Sequence, residues 1–116
     1  MGDYKAQLPG WLKNTTEPNQ VLVKEAQNHL NGVKKAPGFG LALLELLHNT
    51  NTDGMARHAG AIFFKNYIRE FWDLADGVPE NDRGLIKQHI LSLMLSVPKQ
   101  LQAQLSAALE QIAETD

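Results

Sequence analysis

The hydrophobic positions of this chain recur every three to four residues, which is the period of an amphipathic α-helix. Residues 57–72 hold three of the four phenylalanines and one of the two tryptophans, so most of the large apolar side-chain area lies there. On a helical wheel the large side chains of this stretch share one wide face, with two small residues among them where another helix can approach: Phe63, Phe64, Tyr67, Ile68, Phe71 and Trp72, with Gly60 and Ala61. The opposite arc is polar and carries His58, Lys65, Asn66, Arg69 and Asp73. The pattern therefore predicts a central helix that is buried on one side and free for a partner on the other.

Two helices are predicted before the residue 34–38 break. The first is short and begins at Pro9, because a proline is tolerated in the first turn of a helix, and a loose segment precedes it. The second follows a turn at residues 15–19, with Asn19 as its N-cap. Its buried line is Leu22, Ala26, Leu30 and Val33, and its far side carries Lys24, Asn28 and Asn31.

Three further helices accompany the central one. Residues 39–47 are apolar nearly all round, which predicts a helix packed between neighbours, with Pro37 in its first position. Asp53 or Thr52 caps the central helix, and residues 76–79 end it. Glu80 and Asp82 favour the dipole at the start of the next helix. The inner faces of the last two helices are Leu85, Ile86, His89, Ile90, Leu93, Met94 and Val97, and Leu101, Leu105, Ala108, Leu109 and Ile112.

No segment alternates with the period of a strand, so the predicted fold is all-α. The helices fall into three antiparallel pairs at about residues 4–35, 37–75 and 79–115, a spacing of close to 40 residues that is typical of HEAT-type (armadillo-like) superhelices. The sequence predicts a single domain over residues 1–116. Because the last helix keeps an apolar face with no polar cap after it, we expect this domain to be part of a longer repeat protein.

Composition and charge narrow the function. The chain has no cysteine, which excludes disulfides and thiolate metal sites, and its net charge of −2 argues against coating nucleic acid. The longest strongly apolar run, residues 41–47, is far too short to span a membrane, and the first residues lack a signal peptide. We therefore expect an intracellular protein that binds neither nucleic acid nor membranes.

Catalytic chemistry is not indicated. The four histidines, His29, His48, His58 and His89, fall on different predicted helices without metal-binding spacing. No serine lies on a nucleophile elbow, and residues 38–40 lack the strand and the Lys-Ser/Thr ending of a phosphate loop. The sequence predicts no catalytic residue, no metal site, no cofactor and no enzymatic activity.

Short sequence motifs in residues 38–116 resemble the N-terminal domain of the importin-β superfamily of nuclear transport receptors. Within that superfamily they resemble the exportins that return importin-α to the cytoplasm. The matching positions are Gly38-Phe39-Gly40-Leu41, Leu43-Leu44, Arg57, Ala59-Gly60-Ala61, Phe63-Phe64-Lys65-Asn66, Ile68, Trp72, Leu85-Ile86-Lys87, Leu93-Met94, Pro98, Leu101-Gln102, Gln104 and Ile112-Ala113. Residues 1–36 match less well, because Pro9-Gly10 departs from the long first helix of the family.

The resemblance implies a superhelix whose second helices line a concave side and bind the GTP-bound small GTPase Ran. Lys65 matches a lysine that touches Ran in importin-β relatives, and Asn66 and Arg69 lie beside it on the same helix. Lys24, Asn28 and Asn31 are the architectural equivalents on the second helix, and Gln104, Glu110 and Gln111 are further candidates on the last one. The resemblance also implies importin-α as cargo of the full-length receptor and shuttling between nucleus and cytoplasm.

Several of these positions have structural interpretations as well. Lys65 and Arg69 could form an ordinary solvated face, and Asn66 could hydrogen-bond a neighbouring turn. We expect Arg57 to make structural hydrogen bonds between repeats, and Phe71 and Trp72 to be core residues rather than a docking site for Phe-Gly nucleoporin repeats. The alternative function is a helical-repeat scaffold that binds a partner helix independently of nucleotide state.

Overall fold

The computed structural model describes residues 4–74 and 77–115 and contains six α-helices in this part of the chain. After a 3₁₀ turn at Tyr4–Ala6 the helices are α1 (Leu8–Asn14), α2 (Gln20–Val33), α3 (Phe39–His48), α4 (Gly54–Phe71), α5 (Glu80–Ser96) and α6 (Lys99–Thr115). No strand occurs among the described residues, so the all-α prediction is confirmed.

Both predicted N-caps form. The Asn19 side chain accepts hydrogen bonds from the backbone N–H groups of Val21 and Leu22 at 2.9 and 3.4 Å. Asp53, rather than Thr52, caps the central helix α4 and accepts from Met55 and Ala56. These side chains satisfy amide groups that have no partner within the helix, so they fix where α2 and α4 begin.

Three predicted boundaries shift. Helix α1 begins at Leu8, so Pro9 lies within its first turn, and the segment before it is a 3₁₀ turn rather than a loose one. Pro37 is not the first residue of α3, because Gly38 takes the N-cap position with φ of +83°, a left-handed conformation that glycine adopts readily. Helix α4 ends at Phe71, before residues 76–79, of which Asp76 lies outside the described residues.

Contacts between helix ends show how the helices are arranged. Gly38 before α3 contacts Asp82 in the first turn of α5, so α3 and α5 run in the same direction. Lys34 after α2 pairs with Glu70 of α4, and Asp73 after α4 pairs with Gln111 of α6, so these three helices also share a direction. The structure thus has one row containing α3 and α5 and a second row containing α2, α4 and α6.

The core lies between the two rows and is rich in aromatic rings. Trp72, Phe39 and Phe64 are fully buried, and the Phe39 ring lies 5.8 Å from Phe63 and 5.4 Å from Tyr67 in edge-on contacts. Seven of the ten residues of α3 are buried, as expected for a helix that is apolar nearly all round. The predicted buried face of α4 is confirmed, with Phe63 partly buried at its edge.

Three predicted core positions are wrong. Leu22 is 38% exposed, Leu85 is 41% exposed, and His89 is exposed. Each lies beside the buried line of its helix rather than on it. In α5 the buried line is Ile86, Ile90, Leu93 and Val97, with Met94 partly buried. In α2 it is Ala26 and Leu30, with Val33 partly buried at the end.

Candidate partner-binding face

The polar arc of α4 faces away from the core. Asn66 and Arg69 are exposed, and Lys65, which precedes Arg69 by one helical turn, is half-buried. None of these three side chains has a hydrogen bond or an ion pair with another described residue. The two cations and the amide can therefore bind a partner without first breaking a hydrogen bond or an ion pair to the described part of the chain.

Helix α2 presents a second polar stripe. Lys24, Asn28 and Asn31 are all exposed and follow one another at four- and three-residue spacing, opposite the buried Ala26 and Leu30. This stripe, like that on α4, makes no side-chain hydrogen bond or ion pair within the described ranges 4–74 and 77–115. No such contact joins the two stripes either, so each helix presents its own set.

The C-terminal ends of α2 and α4 are held together beneath these stripes. Lys34 Nζ lies 3.2 Å from Glu70 Oε1, and the ammonium groups of Lys34 and Lys35 lie 5.4 and 5.7 Å from the centre of the Phe71 ring. Helix α1 also contacts α2, where the Trp11 ring stacks on the His29 ring at 4.9 Å with only 3° between the ring planes. These contacts set the position of α2 relative to α4.

The candidate residues of α6 are in three different situations. Gln111 Nε2 donates to Asp73 Oδ2 at 3.0 Å, which ties α6 to the end of α4. Gln104 is half-buried and Glu110 is exposed. Gln111 therefore has a structural contact, and the structure does not group it with the other two.

Arg57 has the structural role that was expected, but within a helix pair rather than between repeats. Its Nε and Nη2 atoms donate to the carbonyl oxygen of Leu47 at 3.2 and 2.8 Å. Leu47 lies in the last turn of α3, where carbonyl groups lack helical partners. Arg57 therefore joins α3 to α4 and does not belong to the binding face.

Two contacts that position the helices were missed from the sequence. Asp82 is buried, and its Oδ2 accepts the Gly38 N–H at 2.7 Å, joining α5 to the start of α3. The guanidinium of Arg83 lies 4.8 Å from the centre of the Trp72 ring and also donates to the Trp72 carbonyl, which closes the end of α4. The sequence signal is the pair Asp82-Arg83 in the first turn of α5, and the effect of the acid on the helix dipole does not report either contact.

A groove of about 980 Å³ lies on the other side of the molecule, between α1, α3 and α5. Its walls are mainly apolar, with two histidines at the edge, and include Leu8, Leu41, Leu44, Leu85, His48 and His89. No group of three or more His, Cys, Asp or Glu side chains in the described part of the chain could hold a metal ion. Within the same residues, no helix combines the length and the apolar character needed to cross a membrane.

The carboxylate of Asp53, at the start of α4, has a lowered pKa. The backbone N–H groups of Met55 and Ala56 hold the pKa of Asp53 below its usual value of 3.8, and the nearby charge of Lys13 acts in the same direction. Lys13 Nζ lies 3.5 Å from Asp53 Oδ2. The N-terminus of α4 is therefore held by a carboxylate that stays ionised under neutral conditions.

Comparisons with known proteins agree on one family. The importin-beta N-terminal domain model matches residues 26–96. The importin alpha re-exporter of Saccharomyces cerevisiae is 40% identical over 96 residues, which are 80% of this chain and 10% of that protein. Exportin-2 of Homo sapiens is 35% identical over 113 residues, which are 94% of this chain and 12% of that protein.

A solved structure gives the same result. The exportin Cse1 in its cargo-free, cytoplasmic state superimposes with a TM-score of 0.88 and 34% identity over 97% of this chain and 12% of that one. The chain thus spans only 10–12% of the length of these relatives. Taken with the two rows of helices described above, these matches show that the chain belongs to the importin-beta N-terminal domain family and is similar to exportins within it.

Proposed function

We propose that this chain is the Ran-binding N-terminal module of a nuclear transport receptor, and that it binds Ran in the GTP-bound state. The observation that carries the proposal is the polar arc of α4, where Lys65 and Arg69 form no hydrogen bond or ion pair with the residues that the structure describes. Asn66 lies on the same arc, and Lys24, Asn28 and Asn31 extend the face onto α2. Family membership supports Ran as the partner, since the relatives include exportins.

The mechanism is a difference in affinity between two states of the GTPase. GTP orders the switch loops of a small GTPase, and its hydrolysis releases them. A face that fits only the ordered loops binds one nucleotide state, and that difference in binding free energy couples nucleotide state to cargo binding. The proposed role needs no enzymatic activity and no cofactor of its own.

Within the longer receptor we propose that residues 1–116 form a single domain of three helix pairs, at about 4–35, 37–75 and 79–115. The cargo of that receptor is importin-α, as the name of the yeast relative states for that protein. Such a receptor shuttles between nucleus and cytoplasm with its cargo. The direction of transport is set by the nucleotide state of Ran, which the Ran-binding module distinguishes.

A titration tests the proposal directly. The ¹⁵N-labelled chain is titrated with Ran carrying a non-hydrolysable GTP analogue, and separately with Ran carrying GDP. We expect amide shifts clustered at residues 58–73 for the GTP form only. No response to the GTP form at millimolar concentrations, or equal responses to both forms, contradicts a module that distinguishes nucleotide states.

Substitutions on the arc give a quantitative expectation. Lys65→Ala and Arg69→Glu should each weaken binding by about 1–3 kcal/mol, because they remove or reverse charges that face the partner. Both should leave the thermal midpoint almost unchanged, because neither side chain has a hydrogen bond or an ion pair with another described residue to lose. Lys99→Ala, at an exposed position that begins α6, is the matched control. A lower midpoint with intact binding for Lys65→Ala would instead make Lys65 structural.

The alternative is a scaffold that binds a partner helix independently of nucleotide state. The groove between α1, α3 and α5 favours it, because its volume of about 980 Å³ and its leucine walls suit an apolar helix face. Leu85→Glu and Leu41→Glu would block such binding but leave Ran binding unchanged. The same titration distinguishes the two functions, since a scaffold with a different partner shows no response to Ran that depends on GTP.

A further inference from the structure

Two apolar side chains lie on the polar arc of α4 and have no role in the core. Met55 is 52% exposed, and Ile62 is half-buried, although both belong to a helix whose other large apolar residues are buried or packed against the core. On the helical wheel both fall within the arc of His58, Lys65, Asn66 and Arg69. The arc is therefore mixed, with apolar positions at its N-terminal half and cationic positions at its C-terminal half.

Spacing along the helix defines the pattern more closely. Met55 and Ile62 are seven residues apart, which is two turns and about 10 Å at 1.5 Å per residue. His58 lies between them, and Lys65 and Arg69 follow one and two turns after Ile62. A partner that covers this line must offer two apolar groups about 10 Å apart and then acidic groups.

The acids beside this line are already engaged. Asp53, next to Met55, caps α4 and pairs with Lys13 at 3.5 Å, and Asp73, one turn after Arg69, accepts a hydrogen bond from Gln111. Because Gln111 is neutral, Asp73 keeps its negative charge, so the arc carries the two cations Lys65 and Arg69 against this one carboxylate and is net positive. Charge complementarity therefore selects a partner surface that is acidic.

Charged side chains and apolar ones contribute to binding in different ways. Exposed charges steer association and respond to salt, whereas desolvated apolar contacts at the centre supply affinity that salt hardly changes. Methionine suits such a contact because its flexible thioether adapts to the shape of the group it meets. Lys65 and Arg69 alone would give a weak, salt-sensitive encounter.

We infer that Met55 and Ile62 are the apolar contact of the GTPase-binding face, and that they receive apolar side chains from an acidic segment of the GTP-bound GTPase. This inference rests on the proposed function and adds the contact that gives it affinity. It also predicts that Met55 and Ile62 supply most of the binding affinity, whereas Lys65 and Arg69 steer the association of the two proteins.

The test compares affinity and its salt dependence for two variants. Binding of Ran with the GTP analogue is measured by calorimetry at several salt concentrations for the parent chain, Met55→Ala and Lys65→Ala. Met55→Ala should weaken binding about fivefold to tenfold at every salt concentration, with an unchanged slope of log Kd against log salt. Lys65→Ala should reduce that slope. Met55→Leu should restore most of the affinity, since it replaces the apolar area.

Leu91→Ala is the matched control, because Leu91 is 57% exposed on α5, away from the face. It should leave affinity unchanged. If Lys65→Ala weakens binding and Met55→Ala does not, or if Met55→Ala and Leu91→Ala weaken it equally, the apolar contact is wrong while the proposed function stands. If the parent chain shows no binding that depends on GTP, the proposed function fails and the inference fails with it.

Discussion

Single atoms decide how closely the helices pack, and Gly40 in α3 is the clearest case. A Cβ at this position would lie 2.8 Å from Ile86 Cδ1 and 3.1 Å from Tyr67 Cε2, and both neighbours are buried. Gly32 in α2 is exposed, and a Cβ there would meet nothing within 4 Å. Two helical glycines therefore have opposite requirements for a side chain.

Gly40→Ala should destabilise the chain by about 1–2 kcal/mol, because crowding of the core exceeds the gain in helix propensity. Gly32→Ala should stabilise it by about 0.5–1 kcal/mol, because only the propensity changes. Urea denaturation of both variants measures the two effects. Equal stabilisation by both substitutions would mean that Ile86 and Tyr67 move aside without cost.

Asp53 makes stability depend on pH in a predictable direction. Its pKa in the folded chain lies below its usual value of 3.8, chiefly because it accepts the N–H groups of Met55 and Ala56. Its contribution is therefore complete above 3.8 and is lost as the pH falls through the lower pKa of the folded state. Asp53→Asn keeps a capping oxygen but does not titrate.

The thermal midpoint of the parent chain minus that of Asp53→Asn should accordingly shrink as the pH is lowered from 6 towards 3. Other carboxylates titrate in both proteins, so the difference isolates Asp53. Asn19→Asp provides a converse control, because a carboxylate at the cap of α2 should introduce a similar pH dependence. A difference that does not change with pH would show that Asp53 acts through its hydrogen bonds alone.

At the scale of helices, what the sequence predicts well is whatever depends on neighbours within one turn. The buried face of α4, the N-caps Asn19 and Asp53 and the all-α class follow from local spacing and cap chemistry. The hydrogen bond between the left-handed Gly38 and Asp82 joins residues that are 44 positions apart, and the periodicity of the sequence does not report such a pair.

For the candidate partner-binding residues, too, the sequence predicts local features but not contacts between helices. The exposure of Asn66 and Arg69, and the partial exposure of Lys65, follow from the helical wheel, since all three lie on the arc away from the aromatic face. That Gln111 is engaged by Asp73 could not be known before α4 and α6 were placed side by side. The sequence therefore indicated which side chains point outward, and the structure identified which of them have an internal partner.

The contact between α3 and α5 gives a prediction at this scale. Asp82→Ala should destabilise the chain by about 1–3 kcal/mol, because the Gly38 N–H loses its acceptor at a partly buried site. Asp82→Asn should cost less, since the amide oxygen can still accept from Gly38. Thermal unfolding and the exchange rate of the Gly38 amide measure the two effects. Equal losses for both variants would mean that the charge of Asp82, rather than its hydrogen bond, joins the helices.

At the scale of the whole molecule, the two rows of helices share one core. The buried cluster includes residues of all six helices, from Leu8 in α1 to Ile112 in α6. The radius of gyration of 13.4 Å is that of a compact domain of this length rather than of an extended array. The face on α2 and α4 is therefore held by the whole core, and not by its own helices alone.

A shared core predicts one cooperative unfolding transition, although repeat proteins can unfold in parts when their neighbouring interfaces are weak. The two tryptophans report on different places, because Trp11 stacks on His29 at the first helix pair and Trp72 is buried at the junction of α4 and α5. Trp11→Phe leaves only Trp72 as the fluorescent probe. The urea transition followed by Trp72 fluorescence should coincide with the transition followed by far-UV circular dichroism. The two transitions should also coincide in the parent chain, where both tryptophans fluoresce.

A fluorescence change in the parent chain that precedes the loss of helix, and is absent from Trp11→Phe, would show that α1 and α2 unfold first. The α2 stripe of the binding face would then be less stable than the α4 arc.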